Sequence, residues 1–508
     1  MLPILTAAET RALDRETEAR GTPVAVLMER AGLAVARAAL GLAGGAYGRR
    51  AVVICGKGNN GGDGLVTARH LGRWGMASEV FLLDPSLREP AATNLVSVER
   101  AGIMVRPFAA GTLRRSLERA DVAVDAIFGI GFRGAAEGAF AAAIELLGEA
   151  GAPVVAVDIP SGVEGDTGAV RGPVVHADVT VTFGAQKLGA ILFPGAAATG
   201  VLEVADIGFP RDLLVAQVGL LDETDVRAVW PARAPDTHKR RSGVVLVVAG
   251  SRRMTGAPRL VAAGASRAGA GLVTVAAPEG ALATIQASLD EATFLPLPEG
   301  PEGSASQAAW EALSPRLEGF DAVAVGPGLS LDGETPALVR RLARESPVPL
   351  VIDADAINAF AGRAGELARR TATAVLTPHA GEFARLYDMP TEALEEDRVG
   401  LVRKAAAETG CVVLLKGSRS VIASPDGEVA INPTGTSVLA TGGTGDVLTG
   451  IVAALLARGV APLDGASAGA YVHGVAGRLA GERTGEGTVA GDVARAVPEA
   501  VRRVTEGS

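Results

Sequence analysis

The stretch Ala51-Val52-Val53-Ile54-Cys55-Gly56-Lys57-Gly58-Asn59-Asn60-Gly61-Gly62-Asp63-Gly64 sets the fold class. A five-residue apolar run, then a glycine-rich turn, then a helix-compatible segment to about His70 is the strand–loop–helix unit of a parallel α/β layer. Outward from it, short β-branched runs alternate with Ala-, Leu- and Arg-rich segments along the whole chain. Strands are expected at 51–55, 78–83, 121–127, 153–158, 178–183 and 201–205. In the second half they are expected at 244–249, 272–276, 321–325, 348–353, 373–377, 411–415 and 420–423. Most of these runs are continuously apolar, as strands covered by helices on both faces must be. Residues 24–41 are expected to be a helix closed by glycine.

At 508 residues the chain exceeds one ordinary core, so two domains are expected. Residues 208–242 hold Pro210, Pro231, Pro235 and mixed charges, which places the boundary near 215 and gives domains 1–215 and 216–508. Leu221–Trp230 is expected to open the second domain as a short helix capped by Asp222. Hydrophobic residues make up 48% and charged residues 21%, a globular composition. A net charge of −9 argues against nucleic acid or an anionic membrane as partner. Cys55 and Cys411 are the only cysteines and both lie in apolar runs, so neither a disulfide framework nor a zinc site is expected. The charged N-terminus is unlike a signal peptide, and no apolar run reaches the ~18–20 residues of a membrane span. A cytoplasmic location is expected.

Gly56-x-Gly58-x-x-Gly61 satisfies the dinucleotide fingerprint, with Asp84 ending the next strand as the ribose acid. Two details depart from it. Asp63, in or beside the first helical turn, would repel a pyrophosphate, and otherwise serves only as a cap. Asn59 and Asn60 supply amide oxygens that suit a hard cation or ribose and amide groups. Asp125 before Phe128-Gly129-Ile130-Gly131, and Asp158 before Ile159-Pro160-Ser161-Gly162, each put an acid at a strand end beside the same loop.

The second half has its own glycine loop, Thr441-Gly442-Gly443-Thr444-Gly445-Asp446, leading into an apolar helix. Its N–H groups can face an anion. Asp446 falls where a helix cap would be. Its flanking glycines favour instead a general base beside an anion hole in phosphoryl transfer. No P-loop or protein-kinase motif set occurs. Lys416-Gly417-Ser418-Arg419-Ser420 is either a nucleotide contact or a basic β-turn. His379 ends another strand, and Val325-Gly326-Pro327-Gly328 and Asp353-Ala354-Asp355 complete the crevice.

Together these residues resemble the bifunctional NAD(P)H-hydrate repair family. GKGNNGGDG, VDAIFGIGFRG, VDIPSG, GAQKLG (184–189) and FPG (193–195) are similar to its epimerase domain. GSRRMTGAP (250–258), GPGL, DADAIN, TPHAGEF, LKGS and GGTGDVLTG are similar to its ADP/ATP-dependent dehydratase domain. The resemblance implies two three-layer α/β/α domains, a Rossmann-like epimerase and a ribokinase-like dehydratase. It implies that the first interconverts the R and S forms of nicotinamide cofactors hydrated at ring position 6. The second would phosphorylate the S hydrate with ADP or ATP, with Mg²⁺, and eliminate phosphate to restore NAD(P)H.

By position, the resemblance puts Asn59, Asn60, Gly61, Gly62 and Asp63, with Gly129, Ile130, Gly131, Phe132, Arg133, Gly134 and Ala135, on the hydrate. Asn60, Asp125 and Ser161 would hold K⁺. Asp158 would contact the hydrate and act as acid or base. In the second domain Ala257, Gly328, His379 and Asp446 would line the hydrate site, with Asp446 as base. Lys416, Gly417, Ser418, Arg419, Ser420 and Gly445 would hold the adenine nucleotide. A homo-oligomer is expected. The chain departs from the family pattern at Arg240-Arg241, Met254 and Thr436-Ser437. Two other activities share these features: a ribokinase-like small-molecule kinase with an N-terminal binding domain, which shares the Gly445-Asp446 chemistry, and an NAD-dependent dehydrogenase using the 56–61 glycines.

Overall fold

The computed structural model describes residues 1–507. The chain divides into two compact units, Leu2–Gln217 and Val218 onward. The first holds strands β1 (Leu2–Leu5), β2 (Arg50–Cys55), β3 (Ala77–Leu82), β4 (Met104–Pro107), β5 (Val122–Ala126), β6 (Val154–Val157), β7 (Val179–Phe183), β8 (Gln186–Lys187) and β9 (Val201–Ala205). Seven form one parallel sheet in the order β4-β3-β2-β5-β6-β7-β9. β1 and β8 pair in parallel, Ile4 opposite Gln186.

Strand alternation sorts the apolar run of β2 onto both faces. Ala51, Val53 and Cys55 pack with Val35, Ala36, Ala39 and Leu65 from the helices Val24–Leu42 and Asn59–Arg73. Val52 and Ile54 pack on the other face with Leu113, Ile144 and Leu147. Helices thus cover both faces, as the continuous apolar strands require.

The second unit holds β10 (Val218–Leu220), β11 (Val244–Val248), β12 (Leu272–Pro278), β13 (Thr293–Leu297), β14 (Ala322–Val325), β15 (Leu350–Ile352), β16 (Ala374–Leu376), β17 (Val412–Leu415), β18 (Ser420–Ala423) and β19 (Val429–Asn432). The order β13-β12-β11-β14-β15-β16-β17 is parallel, and β18 is antiparallel to both neighbours, β17 and β19. Val245 and Val247 face the buried helix Thr444–Ala457 and its neighbours. Asp222 caps the helix Glu223–Val229, accepting from the N–H groups of Thr224 and Asp225.

Each sheet reverses strand order once near its centre, between β2 and β5 and between β11 and β14. Such a switch point opens a crevice at the carboxyl ends of the strands. The loop 56–64 and the segment Asp125–Gly131 flank the first. Gly250 and Gly326–Gly328 flank the second, where the Gly250 N–H donates to the Pro327 carbonyl at 2.9 Å.

Candidate functional site

In the first unit a cleft of about 690 Å³ opens at the β2/β5 switch. Its wall includes Asn59, Asn60, Asp63, Gly129, Ile130, Gly131, Phe132, Arg133 and Asp158. The other expected hydrate contacts lie outside that wall. A side chain at Gly61 would stand 1.9 Å from the Gly56 carbonyl oxygen, and one at Gly62 would meet Met28. Gly134 donates its N–H to Glu164 Oε1 at 2.9 Å, and Ala135 backs onto Gly172. Most of the loop glycines therefore serve close packing between β2, β5 and the following helix; Gly58 alone of the five faces open space.

The helix starts at Asn59, earlier than the sequence suggests, so Asp63 is its fifth residue and caps nothing. Buried, and facing Asp158 and Asp14, its carboxyl is held well above the usual range. Asp14, from the helix Ala7–Ala19, reaches the same cleft and is also raised, first by burial and then by Asp158. Asp84 serves a local turn, accepting from Ser86, and pairs with Lys57 at 3.5 Å.

Asp158 follows β6 with φ +64, a conformation costly for a non-glycine residue and common at functional sites. Lys187 Nζ lies 3.3 Å from its Oδ1. The exposed cations Arg11, Lys57 and Arg133 share the cleft with the more buried Asp14, Asp63 and Asp158. Phe128 stacks on Phe132 and Phe140 with centroids 4.5 and 5.1 Å away, an apolar platform for a planar ring.

The residues implied for K⁺ do converge. Ser161 Oγ donates to Asp125 Oδ1 at 2.6 Å, Asn60 Nδ2 to the Phe128 carbonyl at 2.9 Å, and the Phe128 N–H to Ser161 Oγ at 2.9 Å. Burial pushes the Asp125 carboxyl up to about 6 despite three donors, from Ser161 and Ile127. A buried carboxylate among amide, hydroxyl and carbonyl oxygens fits a hard monovalent cation.

In the second unit Gly443, at φ +88, precedes a helix that begins at Thr444, so Asp446 lies within the first turn and is not its cap. Its carboxyl is raised to about 7 by burial and by Asp353, with Lys416 opposing. Lys416 Nζ lies 2.7 Å from Asp353 Oδ1 and 3.8 Å from Glu382 Oε2. A side chain at Gly445 would stand 3.4 Å from the same Nζ, which ties Lys416 to the glycine loop. Thr449 donates to Asp353 Oδ2 at 2.6 Å. His473, buried and held neutral with its pKa lowered to about 4, bonds the Thr444 carbonyl at 2.9 Å.

Gly328 and Ala257 meet across the β11/β14 crevice: a side chain at Gly328 would touch the Ala257 Cβ at 3.1 Å. His379 caps the helix Ala380–Tyr387 through Nδ1, which accepts from the Gly381 N–H at 3.0 Å. Arg419 donates to the Pro433 carbonyl at 2.8 Å, and Ser420 is buried at the start of β18. Gly417 and Ser418 form the turn between β17 and β18, against Arg398 and Gly435. Asp14, Lys187, Glu382, Thr449 and His473 were given no role by the sequence. Lys187 had a signal, as the single charge in Gly184–Gly189.

The model of the family described as YjeF-related protein N-terminus matches residues 24–189. The model described as NAD(P)H-hydrate dehydratase matches residues 245–499. A bifunctional NAD(P)H-hydrate repair enzyme of Moorella thermoacetica is 46% identical over 93% of this chain and 92% of its own length. The chain belongs to the bifunctional NAD(P)H-hydrate repair enzymes. A second member, from Thermofilum pendens, is 42% identical over 93% of this chain and 91% of its own. Among solved structures, a ribokinase-like superfamily protein of Enterococcus faecalis is 25% identical, with a TM-score of 0.50, over 57% of this chain and 98% of its own. The first cleft therefore lies in the epimerase-type half of a repair enzyme and the glycine loop in its dehydratase-type, ribokinase-like half. Gly56 and Gly61 pack closely within the first unit, and the family match is to a repair enzyme, not to a dehydrogenase.

Proposed function

We propose that the first domain epimerises R- and S-NAD(P)HX and that the second dehydrates the S form, with ADP or ATP converted to AMP or ADP and phosphate. The observation that carries this is the presence, in one chain, of a carboxylate-lined cleft and a separate glycine-loop carboxylate raised to about 7.

In the first domain, C6 of the substrate carries both a hydroxyl and the ring nitrogen. Breaking the C6–O bond with a proton on the departing oxygen releases water, and the nitrogen lone pair forms C6=N. Water then returns to the opposite face and gives up a proton, so the ring is epimerised with no net change in atoms. Asp158, beside Lys187, accepts the proton from the incoming water; Asp14 and Asp63, which burial keeps protonated to higher pH, are the acids available to the leaving hydroxyl. The cations Arg11, Lys57 and Arg133 suit the cofactor's diphosphate. Asn60, Asp125 and Ser161 would hold K⁺, whose charge would fix the loops they join.

In the second domain Asp446 takes the proton of the S hydrate's hydroxyl as that oxygen accepts the terminal phosphoryl group. The N–H groups of the loop at Gly445 and Lys416 offset the charge of that group. Phosphate then leaves with the C6–O bond pair, and loss of a C5 proton forms the C5=C6 bond. Mg²⁺ would come with the nucleotide, held largely by its phosphate oxygens and water, and would offset the charge of the transferring phosphoryl group. Ala257, Gly328 and His379 would border the hydrate, and Lys416–Ser420 the nucleotide. No helix among the described residues is long and apolar enough to cross a membrane. A cytoplasmic homo-oligomer completes the proposal; light scattering tests the assembly.

The decisive experiment incubates the protein with mixed R- and S-NADHX and ADP or ATP while following absorbance of the reduced nicotinamide. Full recovery of NADH requires both domains. Recovery of the S fraction alone removes the epimerase assignment, and no recovery removes the dehydratase assignment.

A further inference from the structure

Thr182 lies in β7 with its side chain fully buried, and Lys187 is buried just beyond, in β8. Lys187 Nζ donates to Thr182 Oγ1 at 3.1 Å, the Phe183 carbonyl at 3.0 Å and the Ala185 carbonyl at 2.8 Å, and it also lies 3.3 Å from Asp158 Oδ1. An ammonium has no lone pair, so Thr182 Oγ1 must accept from it. The hydroxyl proton is then directed to Asp158 Oδ1, 2.9 Å away. The relay has one direction, from lysine through threonine to carboxylate, and it ends on an acid whose backbone is held at φ +64.

A β-branched strand residue needs no such partners to pack, and its neighbour Thr180 shows the ordinary arrangement, donating to the Thr199 carbonyl at 2.7 Å. Thr182 differs in spending both its donor and its acceptor on groups that reach the cleft wall, Asp158 and Lys187. We propose that Thr182 and Lys187 are positioning residues of the first-domain reaction, fixing the Asp158 carboxylate against the ring of the substrate through this one-way relay. The inference rests on the epimerase assignment and adds the residues that set the orientation and charge of its base. Oδ1 is held by the relay, which leaves Oδ2 as the oxygen presented to the substrate.

The test is Thr182→Val beside Thr182→Ser in the full-length chain. R/S interconversion of NADHX is read by chromatography, and the first domain's melting transition is read by calorimetry to show that it is folded. Thr182→Val keeps the shape and deletes the hydroxyl. It is expected to lower kcat of epimerisation about ten- to hundredfold, the size of a lost hydrogen bond to a charged group, with KM changed less than about threefold. Thr182→Ser is expected to regain most of that loss. Lys187→Met is expected to match Thr182→Val or fall further. Wild-type kcat in Thr182→Val, or equal losses in the Val and Ser variants, would overturn the relay. A wild-type chain that dehydrates S-NADHX yet never interconverts the R form would remove the epimerase assignment and the relay with it.

Discussion

The ammonium of Lys416 sits 2.7 Å from Oδ1 of Asp353, whose side chain is 1% exposed. Burial works against the lysine's charge, but Asp353 and Glu382 outweigh it and raise its pKa. Three carboxylates, Asp353, Glu382 and Asp446, thus share one cation beside the glycine loop. Lys416→Met leaves Asp353 buried with Thr449 as its one remaining side-chain donor. The cost of breaking such a pair is about 3–5 kcal/mol. The second domain's melting temperature should drop markedly at pH 8. The drop should shrink toward pH 5, because Glu382 and Asp446, both raised by burial and no longer opposed by Lys416, can then protonate. An equal drop at both pH values would show that packing, not charge, carries the effect.

Asp446 has a carboxyl raised to about 7 from the ordinary 3.8. As a base it must be ionised, so the dehydration kcat/KM should rise with pH and level off above about 7. Asp446→Asn should abolish dehydration and leave R/S interconversion intact. Linkage adds a second sign. Between pH 3.8 and about 7 the unfolded chain has lost this proton and the folded chain still holds it. Stability therefore falls as pH rises through that window. Asp446→Asn removes the fall and should melt higher than wild type at pH 8, the signature of a site that trades stability for function. An unchanged acid limb, with dehydration persisting in the variant, would make Asp446 a bystander.

The sheet centres are legible in the sequence because β2 and β11 are continuous β-branched runs ending in glycine or alanine. The edges are not. β4 and β13 carry Pro107 and Pro296 and are only part-buried, so pattern alone leaves them as loops. Asp446 was legible as a group of interest, but its role was open between cap and base. That choice turns on the helix starting three residues earlier, at Thr444 after Gly443 with φ +88. Asp14 was illegible, since nothing separates it from the other acids of its helix until packing turns it into the cleft. Gly61 and Gly62 read two ways in the sequence, because close backbone approach and ligand binding ask for the same residue type.

The first loop offers a sharp test of that distinction. A Cβ at Gly61 would stand 1.9 Å from the Gly56 carbonyl oxygen, a backbone atom that cannot swing aside. Gly61→Ala should therefore destabilise the first domain by about 1–3 kcal/mol or more and suppress epimerisation, while S-NADHX dehydration survives. At Gly58, where a Cβ meets nothing within 4 Å, alanine should leave the melting temperature near wild type. Calorimetry on both variants decides it; a Gly61→Ala chain as stable as Gly58→Ala would mean that the loop is not packed as described.

Beneath the same loop, Asp125 is fully buried and its hydrogen-bond donors all come from Ser161 and Ile127. Among the described residues no lysine or arginine pairs with its charge, unlike Asp158 with Lys187 or Asp353 with Lys416. If K⁺ fills that role, epimerisation should fall when KCl is replaced by tetramethylammonium chloride at equal ionic strength, and recover on titrating K⁺ back. Asp125→Asn should raise the half-saturating K⁺ by at least about tenfold, the scale on which changed ligands and their supports act at metal sites. Dehydration by the second domain should not follow the same titration curve. Equal epimerisation rates in both salts would assign the Asp125–Ser161 pair to structure alone, a hydrogen-bonded staple between the ends of β5 and β6.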